Sequence, residues 1–205
     1  HHPDHVGAVE AVQQRYGVRV LASQATKDAL PSHLVDGVVA EGHVFDVGKW
    51  EGKPWRIEVL QTPGHTPGHL AFRDMRWGAI FSGDLVSGVS TILIDPGEGD
   101  MGEYMRSLER CSALDPKLVL PGHGPALPRD AFAETLAHRR MREAKVLQAL
   151  KPEPQTIAQM TPAVYADTPP EAWPLAERSL ESILLGLEAR KLARKDDAGA
   201  WTSAR

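Results

Sequence analysis

The sequence predicts a layered α/β domain followed by a small helical module, and three observations support this expectation. Short apolar segments alternate with amphipathic helical segments over the first part of the chain. Loops rich in glycine and proline separate these segments. After Pro128 the pattern changes to longer helical segments that lead into a basic ribbon. We therefore predict two domains, at residues 1–128 and 129–205.

The first domain shows helices and strands in the order expected of stacked α and β layers. Residues 6–16 predict a helix that ends at Gly17, because glycine commonly closes helices. Residues 69–72 and 79–82 predict a hairpin-like pair of strands. The other predicted elements are strands at residues 18–22, 38–47, 56–60 and 117–120 and a helix at residues 101–114.

The second domain combines three helices with a two-stranded ribbon, a pattern typical of winged helices. Thr156 can cap the middle helix, and Thr161-Pro162 is expected to end that helix after residue 160. Pro169-Pro170 precedes the third helix. The predicted elements are helices at residues 130–150, 156–160 and 172–192 and strands at residues 191–195 and 201–202, joined by a turn at residues 196–199.

The composition is that of a globular protein rather than a membrane or disulfide-rich one. Hydrophobic residues make up 42% of the 205 residues, enough to form a core, and no apolar run approaches the roughly 20 residues that cross a bilayer. No membrane partner is therefore expected. Cys111 is the single cysteine, which excludes an internal disulfide and favours a cytoplasmic location. The formal net charge of −4 provides no overall attraction to nucleic acid.

Four loops carry residues that bind divalent metals. A dinuclear zinc site needs imidazoles and carboxylates that converge and leave one position for water. Glycine beside three of these loops lets the backbone turn sharply and approach a metal closely. Each loop alone is typical of an ordinary turn, but the four together predict a metal centre. The candidate metal ligands are His2, Asp4, His5, His65, Asp84 and His123.

These loops resemble the signature of the metallo-β-lactamase superfamily, which is His-x-His-x-Asp-His followed by a His, an Asp and a His on later loops. The resemblance implies an αββα sandwich and two zinc ions, with manganese or iron as alternatives. When the signature is aligned on Asp4 and His5, its second histidine is His2 and its first would precede His1. We therefore expect residues upstream of His1, including that histidine and strands of the first sheet.

The same resemblance implies a role for each ligand. The absent histidine, His2 and His65 would hold one ion, and Asp84 would bridge the two ions. The other ion would be held by Asp4, His5 and His123. Metals in such sites activate water, and Asp4 is the expected catalytic residue because it can also accept a proton from that water.

A closer resemblance covers nearly the whole chain. Residues 81–84 (Phe-Ser-Gly-Asp), 104–108 (Tyr-Met-x-Ser-Leu), 121–125 (Pro-Gly-His-Gly-Pro) and 138–143 (His-Arg-x-x-Arg-Glu) resemble the beta-lactamase-like 2 subgroup. The resemblance implies a C-terminal winged-helix-like domain. It also implies either of two activities, single-strand RNA cleavage or thioester hydrolysis.

Three functions follow as hypotheses. The first is hydrolysis of a thioester or ester, with a small molecule or an acyl carrier as partner. The second is cleavage of single-stranded RNA, which predicts that basic residues at 139–145 and 191–195 converge on the metal cleft. The third is a winged-helix DNA-binding regulator with a vestigial hydrolase domain, which glutamates at residues 171–188 disfavour. Homodimerisation through the winged helix is a further partner hypothesis.

Two other histidines, His69 and His138, lie outside the candidate ligand set. His69 is expected to be a histidine at the start of a strand that bonds to the backbone, with a contact to the metal ligands as the alternative. His138 lies beside several arginines on a predicted helix. Its neighbourhood is expected to be a solvated helix face, with a patch for phosphates or for the phosphopantetheine arm of a carrier as the alternative.

Overall fold

The computed structural model describes residues 1–204 as a mixed α/β fold. Its helices are α1 (Pro3–Val6), α2 (Val9–Tyr16), α3 (Gln24–Ala29), α4 (Met101–Ala113), α5 (Ala131–Ala149), α6 (Ile157–Val164) and α7 (Trp173–Ala189). Its strands are β1 (Leu21–Ala22), β2 (Gly37–Val38), β3 (Val44–Trp50), β4 (Lys53–Gln61), β5 (Leu70–Asp74), β6 (Ala79–Gly83), β7 (Leu118–Pro121), β8 (Ala193–Lys195) and β9 (Trp201–Ser203). Short 3-10 helices occupy Ser32–Leu34 and Pro170–Ala172.

The main sheet has five strands in the order β3-β4-β5-β6-β7. Strands β3 to β6 are antiparallel, whereas β7 runs parallel to β6, with Ile80 opposite Val119. The helix α4 provides the crossover that a parallel connection requires. Because β6 and β7 are parallel, the loops that follow them emerge at the same edge of the sheet.

The two faces of the sheet differ in burial. One face presents Leu60, Ala71, Ile80 and Val119 to the hydrophobic core, where all four are nearly or fully buried. The opposite face includes Phe81 and Leu118, which are 42% and 40% exposed. Side chains alternate between the faces because strand residues have a period of two.

The helix α4 lies on the buried face of the sheet. Asp100 caps its N-terminus by accepting a hydrogen bond from the Glu103 backbone N–H at 2.8 Å. Tyr104, Leu108 and Cys111 recur at helical spacing and are fully buried. The prediction of a helix in this region is thereby confirmed, within one residue of its predicted end.

The helices after β7 share this core. Phe132, Leu184 and Trp201 are fully buried in the same cluster as Leu60 and Ile80. The C-terminal elements therefore pack against the main sheet and α4 as one continuous core. The helices α5, α6 and α7 and the β8–β9 ribbon form the expected winged-helix arrangement.

Two predicted boundaries are wrong for physical reasons. Residues 38–47 do not form one strand, because a turn at Gly42, with φ +74°, separates β2 from β3. The middle C-terminal helix continues through Pro162 to Val164 instead of ending at residue 160. The continuation buries Val164 fully, and this burial outweighs the backbone hydrogen bond that proline lacks.

Three further differences lie near the N-terminus. The predicted helix at residues 6–16 is broken at Gly7 and Ala8, and only Leu21–Ala22 of the predicted strand at residues 18–22 pairs in a sheet. The helix α3 was not predicted, although Ser23 caps it by accepting a hydrogen bond from Thr26 N. Among residues 1–204, no helix is long and apolar enough to cross a membrane.

Candidate metal centre

All six predicted ligands converge at one edge of the main sheet. They are supplied by the N-terminal turn and helix α1, the β4–β5 loop and the segments after β6 and β7. Asp84 follows β6 and His123 follows the parallel strand β7, so the sheet itself brings these two residues together. The ligands are His2, Asp4, His5, His65, Asp84 and His123.

The ligands form two groups that meet at Asp84. In the first group, His65 Nε2 lies 3.2 Å from His2 Nδ1 and 3.5 Å from Asp84 Oδ2. Asp84 also contacts the second group, with Oδ2 3.0 Å from His5 Nε2 and Oδ1 3.5 Å from His123 Nε2. The Asp84 side chain is thus positioned between both groups with one oxygen towards His123 and the other towards His5 and His65.

Asp4 completes the second group. Its Oδ2 lies 3.2 Å from His123 Nε2 and 3.7 Å from His5 Nε2. The Asp4 side chain is 56% exposed, whereas Asp84 is buried. The carboxylate that contacts both groups is therefore shielded from solvent, and the carboxylate at the rim is open to solvent.

The protonation of His65 leaves its inner nitrogen free to bind a metal. His65 Nδ1 lies 2.9 Å from the carbonyl oxygen of Leu93, which can only accept a hydrogen bond, so Nδ1 must carry the proton. The lone pair is then on Nε2, which faces Asp84. Burial lowers the pKa of His65, which favours this neutral form. A carbonyl partner of this kind is typical of metal-binding histidines.

His69 supports Asp84 from behind and is not itself among the ligands. Its Nε2 accepts a hydrogen bond from the Asp84 backbone N–H at 3.0 Å, and its Nδ1 lies 2.7 Å from Thr62 Oγ1. Burial lowers the pKa of His69 to about 4, so the ring is neutral at pH 7. His69 is therefore the histidine bonded to backbone that we expected, and the bonded backbone belongs to a candidate ligand.

Two glycines allow the loops to approach this closely. A Cβ on Gly122 would lie 2.7 Å from Asp84 Oδ1, so any larger residue would displace that oxygen. Gly64 has φ +131°, and its Cβ would lie 2.2 Å from the Tyr104 backbone nitrogen. The glycines that precede His65 and His123 thus allow the backbone to pack closely against its neighbours as well as to turn.

The donor set fits divalent metal ions. The candidate ligand atoms lie 3.0–3.7 Å from one another. Two ligand atoms of a tetrahedral site with metal–ligand bonds of about 2.1 Å would lie about 3.4 Å apart, which is within this range. Asp84 Oδ1 is buried without a hydrogen-bond partner among the described residues, as expected of an oxygen that binds a cation. Imidazole and carboxylate donors together suit zinc, manganese and iron. The ligand roles themselves stay predictions.

Sequence reasoning did not identify Glu98. Its carboxylate lies 2.5 Å from His1 Nε2 and 3.1 Å from His2 Nε2, so His1, His2 and Glu98 form a further cluster beside the first group. Glu98 lies on the loop before α4, far in sequence from either histidine. No local pattern signals such a contact, because it depends on how that loop folds back.

The apolar segment at residues 92–94 packs and also positions a ligand. Ile92 and Ile94 are buried, and the intervening Leu93 provides the carbonyl that fixes His65.

The candidate metal centre opens on a cavity of about 490 Å³ whose walls include Phe72 and Phe81. Among the described residues, no lysine or arginine lines this cavity.

Comparison with known proteins agrees with this architecture. Residues 1–123 match the metallo-beta-lactamase superfamily, and residues 156–201 match the beta-lactamase associated winged helix domain. The chain is 27% identical over 194 residues to a beta-lactamase-like protein 2 homolog of Caenorhabditis elegans, covering 91% of this chain and 61% of that protein.

Two further comparisons concern a named enzyme and a solved structure. The chain is 35% identical over 139 residues to a hydroxyacylglutathione hydrolase of Cereibacter sphaeroides, covering 66% of this chain and 50% of that enzyme. A beta-lactamase domain protein from Burkholderia ambifaria shares the fold with a TM-score of 0.78 at 22% identity, over 98% of this chain and 71% of that chain.

The chain spans about half the length of the curated relatives it matches. The superfamily match nevertheless covers the whole candidate metal centre, from His2 to His123. The winged-helix match covers α6, α7, β8 and the first residue of β9. On these grounds the chain belongs to the metallo-beta-lactamase superfamily and carries a beta-lactamase-associated winged helix domain.

Proposed function

We propose that this chain is a metal-dependent hydrolase of thioesters or esters that holds two zinc ions. The observation that carries the proposal is the position of Asp84 between two groups of ligands, within 3.5 Å of donor atoms in both. A single carboxylate between two such groups is the arrangement expected of a dinuclear site. Manganese or iron would suit the same donors.

The candidate ligands would bind the two ions in two sets, and one of them would also accept a proton. His2, His65 and Asp84 would hold one ion, and Asp4, His5 and His123 would hold the other, with Asp84 shared. Metal ions bound at such sites polarise a carbonyl and lower the pKa of water towards 7. Asp4 Oδ2 is solvent-exposed beside His123, so it can accept a proton from the attacking water.

Several observations favour a thioester or ester over nucleic acid as substrate. Some relatives are named hydroxyacylglutathione hydrolases. The basic stretches that RNA cleavage would need at the cleft, at residues 139–145 and 191–195, supply no described residue to the wall of the cavity beside His65 and Asp84. RNA cleavage remains the alternative, and a DNA-binding regulator is the less favoured one.

The test compares two reactions of the full chain loaded with zinc. We expect release of free thiol from acyl thioesters and no cleavage of a labelled single-stranded RNA. His123→Ala should abolish thiol release, whereas the exposed His33, which pairs with Glu10, provides the matched control His33→Ala. RNA cleavage without thiol release, lost in His123→Ala, would replace this proposal with the alternative.

A further inference from the structure

A second cavity, of about 410 Å³, lies between α5, the loop before α4 and the winged-helix elements. Hydroxyl groups and apolar side chains form most of its wall, and no carboxylate lines it among the described residues. Its cationic groups are two arginines of α5, with His138 beside them. The lining residues include Thr91, Leu93, His138, Arg139, Arg142 and Tyr165.

Arg139 is a buried cation without an acidic partner. Its side chain is 5% exposed and forms no salt bridge within residues 1–204. It donates a hydrogen bond to the Ile92 carbonyl and stacks over the ring of Tyr104, with the guanidinium carbon 5.1 Å from the ring centroid. Its Nε has no hydrogen-bond partner in the described part of the chain. Burial of an unpaired charge is costly, so the site is suited to an anion that supplies the missing partner.

The neighbouring charges leave the cavity positive. Arg142 is also buried, but it pairs with Asp167, with Nη1 2.8 Å from Oδ1. Lys145 shares the same carboxylate at 2.7 Å. Arg142 and Lys145 thus share one carboxylate, which lies outside the cavity wall, and Arg139 has no salt bridge among the described residues. Arginine binds phosphate well because its planar fork matches two oxygen atoms at once.

The cavity and the metal centre share a wall. Leu93 lines the cavity, and its carbonyl oxygen is the partner of His65 Nδ1. A ligand anchored by Arg139 would therefore lie next to the segment whose Leu93 carbonyl bonds His65. We propose that this cavity binds the phosphate monoester at the end of the thiol arm of a thioester substrate, an inference that rests on the proposed hydrolysis of thioesters.

The walls favour one terminal phosphate over a polyanion. Leu93, Leu175 and Ala176 are apolar and would contact the uncharged part of an arm. A nucleic-acid backbone needs a continuous basic track. The helix α7 beside the cavity instead carries Glu177, Glu181 and Glu188, which repel phosphates along a strand.

The experiment uses two thioesters with the same acyl group, one of phosphopantetheine and one of pantetheine, which lacks the phosphate. We expect KM for the phosphorylated substrate to be about tenfold to hundredfold lower, as charge-assisted hydrogen bonds to one phosphate would provide. Calorimetry with phosphopantetheine and pantetheine themselves gives the same comparison without the reaction.

Three variants test whether Arg139 and the cavity around it provide the preference for the phosphorylated substrate. Arg139→Met should bring the KM ratio of the two substrates close to one and remove the calorimetric preference for phosphopantetheine, whatever its effect on the turnover of both thioesters. Arg140→Gln is the matched control, because Arg140 is the exposed neighbour that pairs with Glu109 and is not part of this wall. Thr91→Glu places a negative charge at the exposed mouth of the cavity, so it tests the site even if Arg139→Met does not fold.

The outcomes separate the two proposals. Equal KM values for both substrates would overturn the phosphate site and leave thioester hydrolysis standing. If neither thioester is cleaved but phosphopantetheine binds more tightly than pantetheine and Arg139→Met abolishes the difference, the site stands and the thioesterase proposal fails. Binding of RNA that depends on Arg139, with no preference for phosphopantetheine, would overturn the assignment to a small phosphate ester.

Discussion

Asp84 is the side chain on which both halves of the candidate metal centre depend. Its oxygens lie 3.0 Å from His5 and 3.5 Å from both His65 and His123. Because the carboxylate is buried, it cannot be replaced easily by water. The loss of this one residue should therefore affect both ligand groups.

Replacing Asp84 tests the shared carboxylate. Asp84→Ala should lose at least one zinc per chain, and thiol release should fall by orders of magnitude, because neither group keeps its full set of donors. Elemental analysis and a steady-state assay measure these effects. Asp130→Ala is the control, since Asp130 is exposed and its side chain caps nothing. An Asp84→Ala protein with full metal content would show that another residue joins the ions.

Replacing His69 tests the support behind Asp84. His69→Leu removes the acceptor of the Asp84 N–H, so zinc affinity should fall by about 10–100-fold, the effect typical of residues that hold metal ligands in place. Competition with a chelator measures the affinity. His69→Gln keeps a carbonyl acceptor and should recover part of the loss. Equal zinc affinities in wild type and His69→Leu would show that His69 contributes to packing but not to metal binding.

The residue types of the candidate ligands were predictable from the sequence, but the hydrogen bonds that other residues make to these ligands were not. The six candidate ligands follow from short local patterns, and the structure brings all six together. The Thr62–His69–Asp84 chain and the contact of Glu98 with His2 depend on hydrogen bonds between distant loops. Those bonds are decided by tertiary packing, which local sequence does not encode.

At the level of secondary structure, α5 links the metal-binding part of the chain to the winged helix. Its Arg139 reaches the Ile92 carbonyl, and its Arg142 reaches the Val164 carbonyl and Asp167 beyond α6. One helix thus contacts the loop that holds His65 and the C-terminal elements. Its buried arginines, rather than its exposed ones, form these contacts.

The ion pairs of Asp167 predict how its contribution to the free energy of unfolding changes with pH. Hydrogen bonds from Arg142 and Lys145 hold the pKa of Asp167 well below its usual range of about 3.9. The stabilisation is therefore present above the unfolded-state pKa and is lost as the pH falls through the lowered folded-state value. Because Asp167 is 47% exposed, we expect at most about 1 kcal/mol.

Urea unfolding at several pH values measures this contribution. Asp167→Asn should be less stable than wild type at pH 7, and the difference should shrink as the pH falls below about 4. The control is Asp197→Asn in the exposed turn between β8 and β9. A difference that grows towards low pH would contradict the sign derived for Asp167.

The predicted elements mostly match the structure, and the errors have a common cause. Strong helical periodicity located α4, α5 and α7 to within about three residues. The failures, at residues 38–47 and at Pro162, occur where a turn or a tertiary contact outweighs local propensity. The pairing of β1 with β2 joins residues about 16 apart and has no local signature.

On the scale of the whole molecule, one hydrophobic core extends from the main sheet to the C-terminal ribbon. Trp201 in β9 is fully buried in the same cluster as Leu60 and Tyr104. The winged helix is therefore not an appendage joined by a flexible linker. The domain division at residue 128 stays a prediction, and the buried cluster contains residues from both sides of it.

The shared core predicts a single unfolding transition. Trp201→Ala should lower the free energy of unfolding by about 3–5 kcal/mol, as expected for loss of a large buried side chain. The half-exposed Trp77 provides the control Trp77→Ala, which should cost much less. Calorimetry should show one transition in both variants. Two transitions, only one of them shifted by Trp201→Ala, would contradict the continuous core.

The central claim is that Asp84 joins two metal-binding groups, and anomalous X-ray diffraction at the zinc edge tests it most directly. For crystals of the full chain loaded with zinc, we predict two peaks, one within about 2.0–2.2 Å of His65 Nε2 and the other within the same distance of His123 Nε2, with Asp84 in contact with both. A zinc peak bound by neither His65 nor Asp84, or a single ion with Asp84 uncoordinated, would contradict the account.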